Sequence, residues 1–345
     1  MGATGEARVK RAIFLAAALS GALVALAGVG WWATRHAGVP LPVREIPVPE
    51  MPEERVPALL LGLDSVLLEA RALAIRSEPL PEPFEQLRRT AIPKRPPGSS
   101  DWLAQQEERG QSFGEFRAFL PKLPGRVIYL TSAGELDAEQ REILRELARL
   151  LALFFQLDVK WLPAIPPEVA GVKSRDVGSG PQLYTHTVMD ALERRLPRDG
   201  VALMAITPTD LYSNPAWNFV YGQARYGKHV GVMSFARDGD PKSERSRVLR
   251  RAFSTASHEI GHMFGIRHCI AWECGMNGRN HRDEADAAPL EPCPACLAKL
   301  QLAIGFDPEQ RWRELASRYA GTGLAADAQV VAAALRSAGL RDRQE

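Results

Sequence analysis

HEIGHMFGIRH, from His258 to His268, is the stretch on which the reading of this chain turns. On a helix, His258 and His262 stand one turn apart and project from the same face, so both imidazoles can reach one metal ion. Glu259 follows the first of them and is placed to act on a metal-bound water rather than on the metal. A helix that simply continued would carry His268 away. Gly265 instead readily takes positive φ and turns the chain back toward the ion. Three neutral nitrogens plus a water describe the open site of a catalytic zinc. With seven histidines in 345 residues, His-Glu-x-x-His alone should arise by chance in roughly 1% of such sequences, before the glycine and third histidine are required.

A second constellation follows at once. All four cysteines of the chain, Cys269, Cys274, Cys293 and Cys296, fall just after the histidine motif, the last two as a C-x-x-C pair. Two closely spaced pairs separated by a loop suit four-thiolate zinc. Two disulfides are the alternative, and a location outside the cytoplasm would favour them. Haem attachment at CPAC fails, because position 297 is leucine where histidine is required. There is no G-x-S-x-G nucleophile elbow, and Gly178 and Gly180 do not form a phosphate loop.

The combined pattern resembles the archaemetzincin family, H-E-x-x-H-x-x-G-x3-C-x4-C-x-M followed by C-x-x-C. It is met by His258, Glu259, His262, Gly265, Cys269, Cys274, Met276, Cys293 and Cys296, with His268 as third ligand. MNGRN from Met276, CLAKLQLAIGF from Cys296, DLYSNPAWNFVYGQA (Asp210 to Ala224) and, more weakly, DWLAQQEERGQSF (Asp101 to Phe113) are also similar to the family. One departure is a loop of 16 residues between Met276 and Cys293, one shorter than the family pattern. The resemblance covers about residues 100 to 320. It implies a metzincin-like α/β fold: a mixed sheet with packed helices, a zinc-binding active-site helix and a mostly helical C-terminal subdomain. It also implies zinc metallopeptidase activity, with Met276 as the Met-turn residue beneath the histidines. An edge strand around Gly231 to Ala236 would then lie above the cleft and pair with an extended substrate. Read from the residues alone, Met276 is equally an ordinary core side chain.

Outward from the motif, the sequence alternates strands and helices. Strands are expected at Arg126 to Thr131, Leu157 to Leu162, Val201 to Thr207 and Val230 to Ala236, the last as an antiparallel edge. Helices are expected at Asp137 to Gln156, with Ile143, Leu147, Leu150, Leu151 and Phe154 on one side, and at Leu183 to Leu196. That alternation implies an α/β layer with a largely parallel sheet. Beyond about residue 246 the chain reads as helices and loop. His281 reads as a solvated loop residue, and Asp210 and Tyr212 as turn-capping residues rather than cleft residues.

The N-terminal part is of another kind. Ala12 to Ala33 is apolar but for Ser20, follows Arg8, Lys10 and Arg11, and closes on Trp31 and Trp32. As a helix it would span about 33 Å, enough for a hydrocarbon layer. A membrane anchor is the first expectation, a signal peptide cleaved near Ala25-Leu26-Ala27 the second, and a buried globular helix the third. Either of the first two places the rest of the chain outside the cytoplasm, tethered or secreted. Of 26 prolines, 12 lie between Pro40 and Pro97, so that stretch reads as a semi-rigid connector around one leucine-rich helix at 58 to 75. The expected division is anchor or signal 1–38, proline-rich linker 39–100, metallopeptidase domain 101–322 and C-terminal helix or tail 323–345.

Net charge is only +2, which argues against a nucleic-acid partner. The expected function is a zinc-dependent metallopeptidase with Glu259 as general base, one catalytic zinc and a second structural zinc. Its substrate would be a peptide or protein, and the membrane would be contacted through the N-terminal helix. A catalytically weak zinc-stabilised peptide-binding module is the rival of another class, and a zinc hydrolase of a non-peptide amide is the third reading.

Overall fold

In chain order the elements are α1 (Leu61–Ser77), α2 (Phe84–Leu87), α3 (Trp102–Gln105), α4 (Phe113–Ala118), β1 (Val127–Ser132), α5 (Ala138–Phe155), β2 (Asp158–Trp161), β3 (Ser174–Asp176), β4 (Pro181–Tyr184), α6 (Thr185–Glu193), β5 (Gly200–Thr207), β6 (Asp210–Tyr212), β7 (Gly222–Arg225), β8 (Val230–Ser234), α7 (Arg245–Met263), α8 (Arg282–Ala287), α9 (Pro294–Ile304), α10 (Pro308–Gly321) and α11 (Ala325–Ser337). The computed structural model describes residues 61–166 and 171–339. The apolar run Ala12 to Ala33 and the prolines up to Pro57 lie outside the described residues. Among the described residues no helix is long and apolar enough to cross a membrane.

Five strands form one sheet in the order β2-β1-β5-β8-β7. The first four run parallel, and β7 is antiparallel to β8. Side chains alternate across it, as the pleat requires. Ile128, Leu130, Met204 and Ile206 enter the larger core, with α5 and α7. Tyr129, Leu203, Ala205 and Val232 enter a smaller one with Val188, Met189 and Leu192 of α6. β5 is buried along its whole length, which is why it reads as an unbroken apolar run. The expected stripe of α5 is buried in full, and its start is fixed by a capping box between Asp137 and Gln140.

The edge of the sheet differs from expectation. β8 is not an antiparallel edge: it is interior, buried and parallel to β5, and the edge is β7. The sequence GQAR of β7 carries no β-branched or aromatic residue, so composition does not announce it. A separate three-stranded sheet, β3-β4-β6, is built of strands of only three or four residues, too short for an alternating pattern to show. Leu183 and Tyr184, expected in a helix, end β4 instead.

The stretch from Pro79 to Pro97 is also not a free connector. Phe84 and Leu87 are buried in the larger core, Phe84 edge-on to Trp312 of α10, and Pro93 bridges to Trp272 beside the cysteines. Ala72 and Ile75 of α1 and Val331 and Leu335 of α11 belong to that core as well.

Candidate metal centre

Helix α7 presents His258, Glu259 and His262, all buried, from its last two turns. The helix then ends in paired bonds: Gly265 N–H to the His262 carbonyl (2.9 Å) and Ile266 N–H to that of Gly261 (3.2 Å). This is a Schellman close, with Gly265 at φ 82°. The reversal carries His268 back, so that one ligand atom from each of the three histidines lies within 4.8 Å of the others. Gly261, between the two helical histidines, has no room for a side chain. A Cβ there would stand 2.6 Å from the Met276 sulfur, so Met276 packs directly against the ligand-bearing turn.

Each histidine is oriented through its Nδ1. His258 Nδ1 lies 2.9 Å from the Gly275 carbonyl, His262 Nδ1 2.7 Å from that of Ile266, and His268 Nδ1 2.5 Å from the Glu108 carboxylate. These oxygens only accept, so in the neutral form a ring held this way carries its proton on Nδ1 and its lone pair on Nε2. The Nε2 atoms of His258 and His262 are then 3.0 Å apart with lone pairs converging, an arrangement that repels unless a cation stands between them. Burial, the main cause, together with the neighbouring histidines, drives the His258 pKa well down and takes His262 to about 3. Both rings therefore remain neutral, the form that binds metal. This donor set fits a zinc ion.

Among the described residues, Glu259 is the only carboxylate lining the cleft above the histidines, a space of about 540 Å³. Burial pushes its pKa up to about 8, against the Arg279 charge and the Ala224 backbone N–H, both of which favour ionisation. Edge strand β7 forms one wall. Gly222 lies so close to α7 that a Cβ would meet the Glu259 Cγ at 3.0 Å. Trp102, Trp217, Tyr226, Gln223, Thr255 and Arg279 also line the cleft. Trp102 stands edge-on to His268 (ring centroids 5.2 Å apart) and its indole N–H reaches Glu108 at 2.9 Å. The Tyr226 hydroxyl lies 2.8 Å from His262 Nδ1. Arg279 donates to Ser254 Oγ at 2.5 Å and to the Gly275 carbonyl at 2.8 Å. Burial, foremost, pulls its guanidinium down to about 10.

Glu108, Trp102, Tyr226 and Arg279 were not foreseen as site residues. Their nearest signal was the family-like character of the segments holding Trp102, Glu108 and Arg279. His281 is not a free loop residue. It caps α8, and its Nε2 lies 2.9 Å from Asp101, tying residues 98–102 to 280–284. Asp210 and Tyr212 form β6 and are not among the residues lining the cleft, though Ser213 beside them is, and Asp210 pairs with Arg237 at 2.7 Å.

The four cysteines meet below. All are buried and unbridged, and their sulfurs lie within 4.8 Å of one another. Cys269 and Cys293 sulfurs are 3.7 Å apart, far beyond an S–S bond and close to the ~3.8 Å edge of a tetrahedron with 2.3 Å zinc–sulfur bonds. Backbone N–H groups of Cys293 and Met276 point at Cys274 Sγ, at 3.0 and 3.4 Å. Hydrogen bonds from the other three cysteines favour the Cys269 thiolate, whereas burial pushes the Cys274 and Cys293 thiols up. The cysteines are thus unbridged and clustered at a spacing that could hold a metal ion.

Comparison with known proteins gives one family. The model for Peptidase family M54 matches residues 189–302. Archaemetzincin-2 of Homo sapiens is 34% identical over 256 residues, 63% of this chain and 71% of that protein. Archaemetzincin-1 of Homo sapiens is 29% identical over 257 residues, 62% of this chain and 51% of that protein. Among solved structures, the archaemetzincin of Methanopyrus kandleri is 24% identical and covers 54% of this chain and 99% of its own, at a TM-score of 0.43.

Proposed function

This chain belongs to the archaemetzincin family of zinc metallopeptidases, and we propose that it hydrolyses peptide bonds in an extended substrate laid along β7, with Glu259 as general base. The observation that carries the proposal is the convergence of three Nδ1-anchored histidines beside a buried carboxylate in an open cleft.

His258, His262 and His268 would hold a zinc ion, and Cys269, Cys274, Cys293 and Cys296 a second, structural one. When bound, the first zinc supplies Lewis acidity that polarises the scissile carbonyl and acidifies the attacking water. The residues of the chain do the rest. Glu259 takes the proton of the water and returns it to the leaving amine. The Gly275 and Ile266 carbonyls and Glu108 keep the three rings turned inward. β7, antiparallel and at the sheet edge, offers its free side for strand addition. Met276 supports the turn between the two helical ligands. The basic flank and apolar run at Arg8 to Ala33 support, from sequence, a location outside the cytoplasm, tethered or secreted.

The experiment is metal removal and return on the purified full chain, read with a fluorogenic peptide library. Chelation should abolish cleavage and zinc should restore it. Cleavage that persists after both zinc ions have been stripped would refute the proposal. Zinc bound with no cleavage of any peptide would favour the binding-module reading.

A further inference from the structure

Among the described residues lining the cleft, Arg279 is the one basic side chain, histidines aside, as Glu259 is the one acidic. The remaining wall is neutral, made of amides such as Gln105, Gln106 and Asn280 and of aromatic rings. Charge selection in this cleft therefore falls to Arg279. Its surroundings are unusual for a guanidinium. Among the described residues the partners of its Nη atoms are neutral, the Ser254 hydroxyl and the Gly275 carbonyl. Its Nε is buried and has no hydrogen-bond partner. Other arginines packed around this region have carboxylates: Arg250 pairs with Asp327 at 3.0 Å, Arg251 with Asp286 and Arg282 with Asp238 at 3.2 Å. The charges of Cys274, Glu259 and Glu284 lie near enough to favour the guanidinium, but none of them is hydrogen-bonded to it, and a buried guanidinium with open donors gains from a ligand that completes them. Its planar fork matches a carboxylate better than any other group a peptide offers.

We propose that Arg279 is a specificity-determining residue that binds a carboxylate of the substrate, so that the cleft selects peptides bearing an acidic side chain or a free C-terminus close to the scissile bond. The inference rests on the peptidase reading above. Ser254, one turn before His258 on α7, and Gly275, which also receives the His258 Nδ1 proton, hold the guanidinium against the ligand-bearing turn. The carboxylate is thereby placed alongside the reacting bond rather than at a remote end of the cleft.

The test measures binding, with turnover removed by Glu259→Gln, on the zinc-loaded full chain. Trp102 and Trp217 in the cleft wall supply the fluorescence signal. The probes are acetylated hexapeptide mixtures with Glu or Gln fixed at each position in turn, made as C-terminal amides, and one Gln set made as free acids. A charge-assisted bond should favour the carboxylate form roughly 10- to 100-fold at one position. Preference for Glu in the amides assigns a side-chain carboxylate, and preference for the free acid assigns the C-terminus. Arg279→Gln should reduce either preference to within about twofold, and Arg279→Lys should keep part of it. A merely bracing Arg279 would weaken all peptides alike and leave the Glu-to-Gln ratio unchanged. The wild-type ratio needs no variant, so a variant that fails to fold does not remove the test. Equal binding of carboxylate and neutral forms, a preference that survives Arg279→Gln, or no binding by any probe would overturn the proposal. Selective binding without cleavage by the chain carrying Glu259 would refute the peptidase reading and leave the carboxylate subsite standing.

Discussion

Glu108→Gln is the substitution whose effect follows most closely from the geometry. Two of the three histidines are anchored by backbone carbonyls, Gly275 and Ile266, which no side-chain change removes. The third, His268, depends on a side chain, and the Glu108 carboxylate sits 2.5 Å from its Nδ1. Burial opposes ionisation of Glu108, but the bonds from His268 and the Trp102 indole hold its pKa below the ordinary value. It is thus a charged acceptor at neutral pH. Glutamine keeps the size and one acceptor oxygen but loses the charge that makes the His268 ring a stronger donor to metal. Loss of such an outer partner typically lowers metal affinity by about 10- to 100-fold, which is about 1.4–2.8 kcal/mol at 1.4 kcal/mol per decade. Glu108→Ala should fall at the stronger end, because it also strands the Trp102 N–H bonded at 2.9 Å. Competition for zinc against a chromophoric chelator measures this, with the thiolate site as internal control, since none of the four cysteines is bonded to Glu108. Affinity unchanged within about twofold, or a loss shared equally by both sites, would refute the reasoning.

Gly261→Ala should be poorly tolerated, because its new Cβ would stand 2.6 Å from the Met276 sulfur. We expect about 1–3 kcal/mol of destabilisation, seen by thermal denaturation, together with weaker zinc binding; Gly261→Ala paired with Met276→Ala should recover part of it. Burial holds the Asp238 carboxyl up at about 7, against the charges of Arg282 and Arg251. The folded chain therefore keeps a proton that the unfolded chain loses above its ordinary value of 3.8. That contribution to stability is full below about pH 4 and is lost as pH rises through about 7, on the order of 2–4 kcal/mol. Asp238→Asn, which keeps an acceptor for Arg282 at 3.2 Å, should match the parent at pH 4 and exceed it at pH 8. Parallel melting curves across that range would contradict the assignment.

The elements that the residues announced were those whose pattern follows from burial. β5 is apolar because both its faces are covered, and the stripe of α5 recurs at helical spacing because one face meets the sheet. The histidine cluster was legible because metal chemistry fixes residue type and spacing together, and Gly265 has the positive φ that its place in the motif calls for. What stayed hidden depends on partners distant in sequence. Glu108 meets His268 across 160 residues, and nothing in its own neighbourhood distinguishes it from Glu107. β7 is a strand because β8 offers it an edge, and its glycine serves the approach of α7 rather than strand propensity. The run from Pro79 to Pro97 looked like a spacer because prolines forbid regular structure, yet prolines do not prevent Phe84 from filling a hole beside Trp312.

The central claim is that Glu259 performs proton transfer beside a zinc held by His258, His262 and His268. It is tested most directly by measuring peptide hydrolysis and zinc content side by side in the full chain and in Glu259→Ala. The account predicts at least a ~10²-fold loss of turnover with zinc content unchanged. Hydrolysis at the parent rate in Glu259→Ala would contradict it.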